Sequence, residues 1–103
     1  MDTRIAYTVK AEFEDKSLIE SFHQWLENGH IKDVLDCGGE SCSIVKNLDA
    51  EIPYYECRYI FPSKASLDIY FEKDAPRLRQ EGLTKFPTGI KFSRTIGEVV
   101  LRF

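Results

Sequence analysis

The stretch Trp25-Leu26-Glu27-Asn28-Gly29-His30-Ile31-Lys32-Asp33-Val34-Leu35 decides how this chain folds. Leu18, Ile19, Phe22, Trp25 and Leu26 precede or open it at i, i+1, i+4, i+7 and i+8, the spacing of one apolar stripe on a helix. Ser17 and Glu20 match a capping box, in which each side chain satisfies a free N–H of the other residue. Gly29 suits the left-handed position that ends a helix, which places His30 just beyond it. Ile31, Val34 and Leu35 then predict one further helical turn.

Before this helix, Ile5, Tyr7, Val9, Ala11 and Phe13 alternate with Arg4, Thr8, Lys10 and Glu12, the period of a strand with one buried face. After it, Cys37-Gly38-Gly39 leads into a strand through Ser41 to Val45, and residues 46–53 read as a hairpin loop. Tyr54–Phe61 is an aromatic strand, with Tyr55, Cys57, Tyr59 and Phe61 on one side and Tyr54, Glu56, Arg58 and Ile60 on the other. A second helix carries Leu67, Tyr70, Phe71 and Leu78; Pro76 must kink or split it, and Gly82 is expected to end it. The last strand starts near Gly89, and its parity change near Gly97 predicts a bulge or bend.

The resulting order, β-α-β-β-α-β, is the ferredoxin-like plan: an α+β fold with a four-stranded antiparallel sheet and two helices on one face. The 103 residues are expected to form a single domain that buries roughly two-thirds of its unfolded surface. They leave nothing to cover the second sheet face, expected to carry Thr8, Tyr54, Glu56, Arg58, Ile60 and Arg94. That face predicts either a homodimer with apposed sheets, closing a barrel with a polar interior, or a flat ligand.

A net charge of −3, with 14 Lys and Arg scattered along the chain, argues against nucleic acid and against an anionic membrane surface. The aromatic strand also lacks the glycine-aromatic signature of RNA-recognition modules. No long apolar block is present, and the expected location is the cytoplasm, where Cys37, Cys42 and Cys57 remain free thiols.

Candidate chemistry centres on His30, whose imidazole titrates near neutral pH and so suits acid or base catalysis; capping the helix is its structural alternative. His23 reads as a partly exposed helix residue. Arg58 and Arg94 could together hold a carboxylate or phosphate, although Arg58 could equally pair with Glu56. Trp25 and Tyr54 could line an apolar pocket with polar tips, and Trp25 serves core packing equally well. Arg77 and Arg79 beside Asp74 read as a solvated cluster at the kink. No compact metal-ligand set, nucleophile elbow or phosphate loop is visible, and no cofactor is expected.

The pattern Trp25-Leu26-x3-His30-Ile31-x2-Val34-Leu35, followed by a Gly-containing link, resembles the first helix and loop of dimeric α+β barrel proteins. Ala75-Pro76-Arg77-Leu78-Arg79, then Phe86, then Ser93-Arg94-Thr95, resembles a small bacterial family of that superfamily, a domain of unknown function. The resemblance implies the barrel homodimer and no particular activity. More distant relatives include cofactor-independent monooxygenases, haem-degrading enzymes and dye-decolourising peroxidases, several of which use a histidine or an Asn-Trp-His set in the cleft between sheet and helices. Asn28, Trp25 and His30 are the matching residue types here. The expected function is therefore binding of a small ligand in that cleft. The alternatives are a monooxygenase- or isomerase-like enzyme with His30 as acid or base, and a protein interaction module.

Overall fold

The alternation of Ile5, Tyr7, Ala11 and Phe13 does become a strand with one buried face, β1 (Ile5–Phe13), in a computed structural model that describes residues 3–103. It joins β2 (Ser41–Asn47), β3 (Tyr54–Phe61) and β4 (Ile90–Glu98) in one antiparallel sheet of order β2-β3-β1-β4. Register places Tyr7 opposite Tyr59, Val9 opposite Cys57 and Ala11 opposite Tyr55, so the aromatic sides of β1 and β3 share a face. Helices pack on that face around a core that includes Phe22, Leu26, Val34, Leu67 and Leu78. The chain has the ferredoxin-like α+β fold.

The first helical layer differs from its expected form at both ends. Its start is a 3-10 turn, Lys16–Leu18, capped by Asp15, whose carboxylate accepts from the Ser17 N–H at 3.0 Å and the Ser17 hydroxyl at 2.6 Å. Those bonds hold the Asp15 carboxyl below its ordinary pKa, and the Ser17–Glu20 box does not form. An aspartate two residues upstream captures the turn first, and Glu20 accepts from Gln24 instead.

Gly29 does not end the helix. α1 (Ile19–Trp25) passes through a π-turn, Leu26–His30, into α2 (Ile31–Asp36), and the N–H of Ile31 reaches back to the carbonyl of Leu26. The extra residue of that wide turn is taken up at Gly29, with φ 157° and ψ −28°, a conformation foreign to L side chains. His30 consequently lies inside a continuous helical run instead of beyond it.

In the second layer Pro76 splits the helix as expected. α3 (Lys64–Lys73) is capped reciprocally by Ser63 and Ser66, and α4 (Ala75–Lys85) carries Pro76 in its first turn, where a missing N–H breaks no bond. Gly82 lies within α4 and does not end it; it is buried where the helix approaches Trp25. β4 stops at Glu98 without a bulge, and the parity change near Gly97 marks the strand's end: residues 99–103 follow without regular structure, tied at their start by the Val99 N–H to the Arg4 carbonyl at 2.9 Å.

The uncovered sheet face carries Thr8, Lys10, Tyr54, Glu56, Arg58 and Ile60. Arg94 is not on it. It pairs with Val9 and shares its side with Ile90 and Phe92, because residues two apart on a strand face the same way.

Candidate functional site: a cavity between sheet and helices

The kinked first layer and the α4 helix stand off the sheet and enclose a cavity of about 350 Å³. Aromatic side chains from every layer line it: Tyr7 and Tyr59 from the sheet, Phe22 and Trp25 from α1, Tyr70 from α3 and Phe92 from β4. Such a volume, mostly apolar with a few polar groups, matches small-molecule sites.

His30 reaches the cavity because the π-turn rotates it back over α1. Its ring stacks on Trp25 at 4.0 Å between centroids and 18° between planes. Trp25 is in turn seated against Gly82, where a β-carbon would lie 3.3 Å from the indole Cη2. The ring of His30 lines the cavity, and its buried Nδ1 has no hydrogen-bond partner in the protein. Burial lowers its pKa to about 4 against a weaker opposing pull from Asp33, so the imidazole is neutral at pH 7.

Elsewhere in the lining two arginines meet one phenol. Arg79 Nη2, from α4, donates to Tyr7 Oη at 3.3 Å, and Arg94 Nε, from β4, donates to the same oxygen at 3.2 Å. Tyr7 is buried, whereas both arginine side chains reach solvent. Among the described residues neither guanidinium forms an ion pair with a carboxylate. Tyr70 sits close enough to feel both charges, yet burial outweighs them and pushes its phenol well above the usual range.

The expected site residues therefore separate into two groups. Trp25, His30 and Arg94 come together at the cavity. Tyr54 and Arg58 do not: they lie on the open sheet face, where Lys10 Nζ sits 4.4 Å from the Tyr54 ring centroid and Arg58 pairs with Glu56 at 3.3 Å. A clamp made of Arg58 and Arg94 is excluded, because the sheet stands between them.

In sequence Arg79 reads with Arg77 as part of a solvated cluster at the kink, but it borders the buried stripe of Ala75, Leu78 and Gly82 and donates to Tyr7 instead. Arg77 does belong to a surface cluster, with Asp74 at 3.7 Å and Glu81 at 3.3 Å. Tyr7 looked like simple core, and nothing in strand alternation distinguishes a phenol that receives two guanidiniums from one that only packs.

Other candidate groups take structural roles. His23 bonds Tyr55 Oη at 2.8 Å through Nδ1 and Glu27 at 3.1 Å through Nε2. Cys57 is buried and its thiol is pushed up to about 12, which leaves it protonated and unreactive. Cys37, Cys42 and Cys57 are all free. Among the described residues no group of three or more His, Cys, Asp or Glu is placed to hold a metal.

The sequence matches the family model described as "Domain of unknown function (DUF4286)" over residues 4–100. The chain belongs to this family. None of the curated proteins matches it in sequence. Among solved structures, a dimeric ferredoxin-like protein from an uncultured marine organism is similar at TM-score 0.78 and 17% identity, covering 99% of this chain and 100% of that one. A second dimeric ferredoxin-like protein of the same description aligns at TM-score 0.69 and 20% identity, with 98% of each chain covered. Hydroxynitrile lyase from Passiflora edulis aligns at TM-score 0.70 and 12% identity, with 100% of this chain and 99% of that one covered. At these identities the likeness is one of fold. No helix among the described residues is long and apolar enough to cross a membrane.

Proposed function

We propose that this chain binds a small, largely aromatic molecule in the cavity between sheet and helices, as a homodimer whose open sheet faces meet. The observation that carries the reading is the cavity of about 350 Å³ walled by aromatic rings from all layers, with the Trp25–His30 stack at one side. Stacked rings present flat apolar surfaces, and aromatic ligands match them in shape and in the geometry of ring pairs. The dimer reading is supported by the half-exposed Tyr54 and Ile60 on a face without helices, and by the dimeric state of two proteins with this fold. Free thiols at all three cysteines fit the reducing conditions of the cytoplasm.

Trp25 is the only tryptophan, so its fluorescence reports directly on the cavity. Titration with indole and naphthalene derivatives is expected to change Trp25 emission saturably and to raise the melting temperature. Absence of both responses up to millimolar concentration overturns the binding reading. Size exclusion with light scattering at tens of micromolar is expected to give twice the chain mass, and a monomer overturns the dimer.

A second reading, an enzyme of monooxygenase or isomerase type with His30 as acid or base, draws support from one observation: the neutral, unpartnered Nδ1 of His30. A neutral imidazole shielded from water accepts a proton from a bound ligand once the ligand supplies the missing hydrogen bond. Turnover of a bound ligand that disappears in His30→Gln, with binding retained, supports the enzyme. Binding without turnover in either protein supports the binder.

A further inference from the structure

The geometry points to an aryl carboxylate as the ligand, its carboxylate held between Arg79 and Arg94 beside the Tyr7 hydroxyl and its ring lodged against Trp25 and His30. This inference rests on the binding reading above and adds the chemical class of the ligand.

The starting point is an imbalance of charge. Arg79 and Arg94 come from different elements, α4 and β4, and converge on a single neutral oxygen. Two cations brought to one point repel each other, and a phenol supplies a hydrogen-bond acceptor but no charge to offset that. Elsewhere on the molecule Arg4 pairs with Glu40 at 2.8 Å, Arg58 with Glu56, and Arg77 with Asp74 and Glu81, while Arg102 is a single exposed cation with no ion pair among the described residues. Only at the cavity is a pair of guanidiniums left without a carboxylate among the described residues.

The guanidinium groups are held in place. Arg79 lies over the Phe71 ring with its Cζ 5.3 Å from the centroid, and Arg94 over Phe92 at 5.9 Å. Aromatic faces attract the cations and favour these positions over fully solvated ones. A planar carboxylate accepts through two oxygens, which lets it take one N–H from each guanidinium while remaining in contact with the Tyr7 hydroxyl.

The rest of the cavity selects what is attached to that carboxylate. His30 is neutral at pH 7, no lysine lines the walls, and the remaining surface is dominated by aromatic and aliphatic side chains. A ligand with charge at one end and a flat apolar body matches this arrangement; a polyanion would leave its further charges facing aromatic rings without compensation.

The test compares three matched probe sets, monitored by Trp25 fluorescence and calorimetry on the full chain. They are the acids indole-3-acetate and 1-naphthoate, their neutral amides, and 1-naphthyl phosphate. The acids are expected to bind about tenfold or more tightly than the amides. Arg79→Ala and Arg94→Ala should each remove most of that preference, the acids losing at least several-fold more affinity than the matched amides. Arg94→Lys should retain only part of the preference, since an ammonium replaces the charge but not the planar fork of N–H donors.

Amides binding as tightly as acids would overturn the carboxylate inference and leave the cavity reading intact. Acid affinity unchanged in both alanine variants would overturn the assignment to these arginines. Tighter binding of the phosphate would replace carboxylate by phosphate as the class. Failure of every probe, acids and amides alike, would overturn the binding reading itself.

Discussion

The two faces of the sheet are made by the same strands and treat their arginines in opposite ways. On the open face Arg58 stands opposite Thr8 and is matched to Glu56 on its own strand, whose carboxylate also accepts from Asn47. On the covered face Arg94 has no carboxylate partner among the described residues and shares the Tyr7 oxygen with Arg79. A half-exposed ion pair is close to neutral in its effect on stability and carries no demand for a partner. A convergent pair of cations beside an apolar cavity does carry one. Residue type alone therefore says little about arginine function; the presence or absence of a fixed counter-charge says more.

The sharpest way to break this contrast is to remove packing on each face. Phe22→Ala opens the covered face at a fully buried ring surrounded by Phe13, Tyr55, Trp25 and Phe86, and should cost about 3–5 kcal/mol in urea unfolding. Tyr54→Ala on the open face should cost less than about 1 kcal/mol in the isolated subunit. If the open faces meet in a dimer, its effect grows with protein concentration, and a concentration-independent loss would speak against that dimer.

A pH series separates the faces next. His30 has a folded pKa of about 4 against an ordinary 6.5, so below 6.5 the unfolded chain binds the extra proton first. Stability is then complete above 6.5 and falls as pH drops toward 4, by on the order of 2 kcal/mol after allowance for partial exposure. His30→Phe should flatten the urea midpoint between pH 7 and pH 5; an unchanged slope would mean that the ring is not desolvated.

Smaller in effect, Tyr55→Phe removes the 2.8 Å bond to His23 and should cost about 1 kcal/mol, with no change in ligand affinity, because that hydroxyl lies outside the cavity. Smallest of all, Arg58→Ala should leave both stability and affinity for an aryl carboxylate nearly unchanged. A large loss of affinity in that variant would place the ligand on the open face and invert the comparison.

Much of the architecture was legible in the chain. Period-two alternation in β1 and β3, the helical stripe through Phe22 and Leu26, and the break at Pro76 are local signals, and each survives in the fold because burial reinforces local preference. The errors fall where two local devices compete. Asp15 displaced the Ser17–Glu20 cap, and Gly29 served a π-turn instead of a helix end; glycine permits either, and only the bond from Ile31 to Leu26 distinguishes them.

The site was less legible. Trp25 and His30 were identifiable because their residue types are rare here, with one tryptophan and two histidines in the chain. Arg94 could have been assigned to the covered face from its parity with Ile90 and Phe92. Arg79 and Tyr7 could not have been joined by any such rule, since they are 72 residues apart and meet only across the packed layers.

What the sequence by itself determined is the order of strands and helices, the sidedness of β1 and β3 and the break at Pro76, because these follow from periodicity and from the stereochemistry of proline. Tertiary structure alone decided which charges are neutralised. Ion pairing depends on distances between side chains of different elements, and these exist only after α4 and β4 have packed on either side of Tyr7.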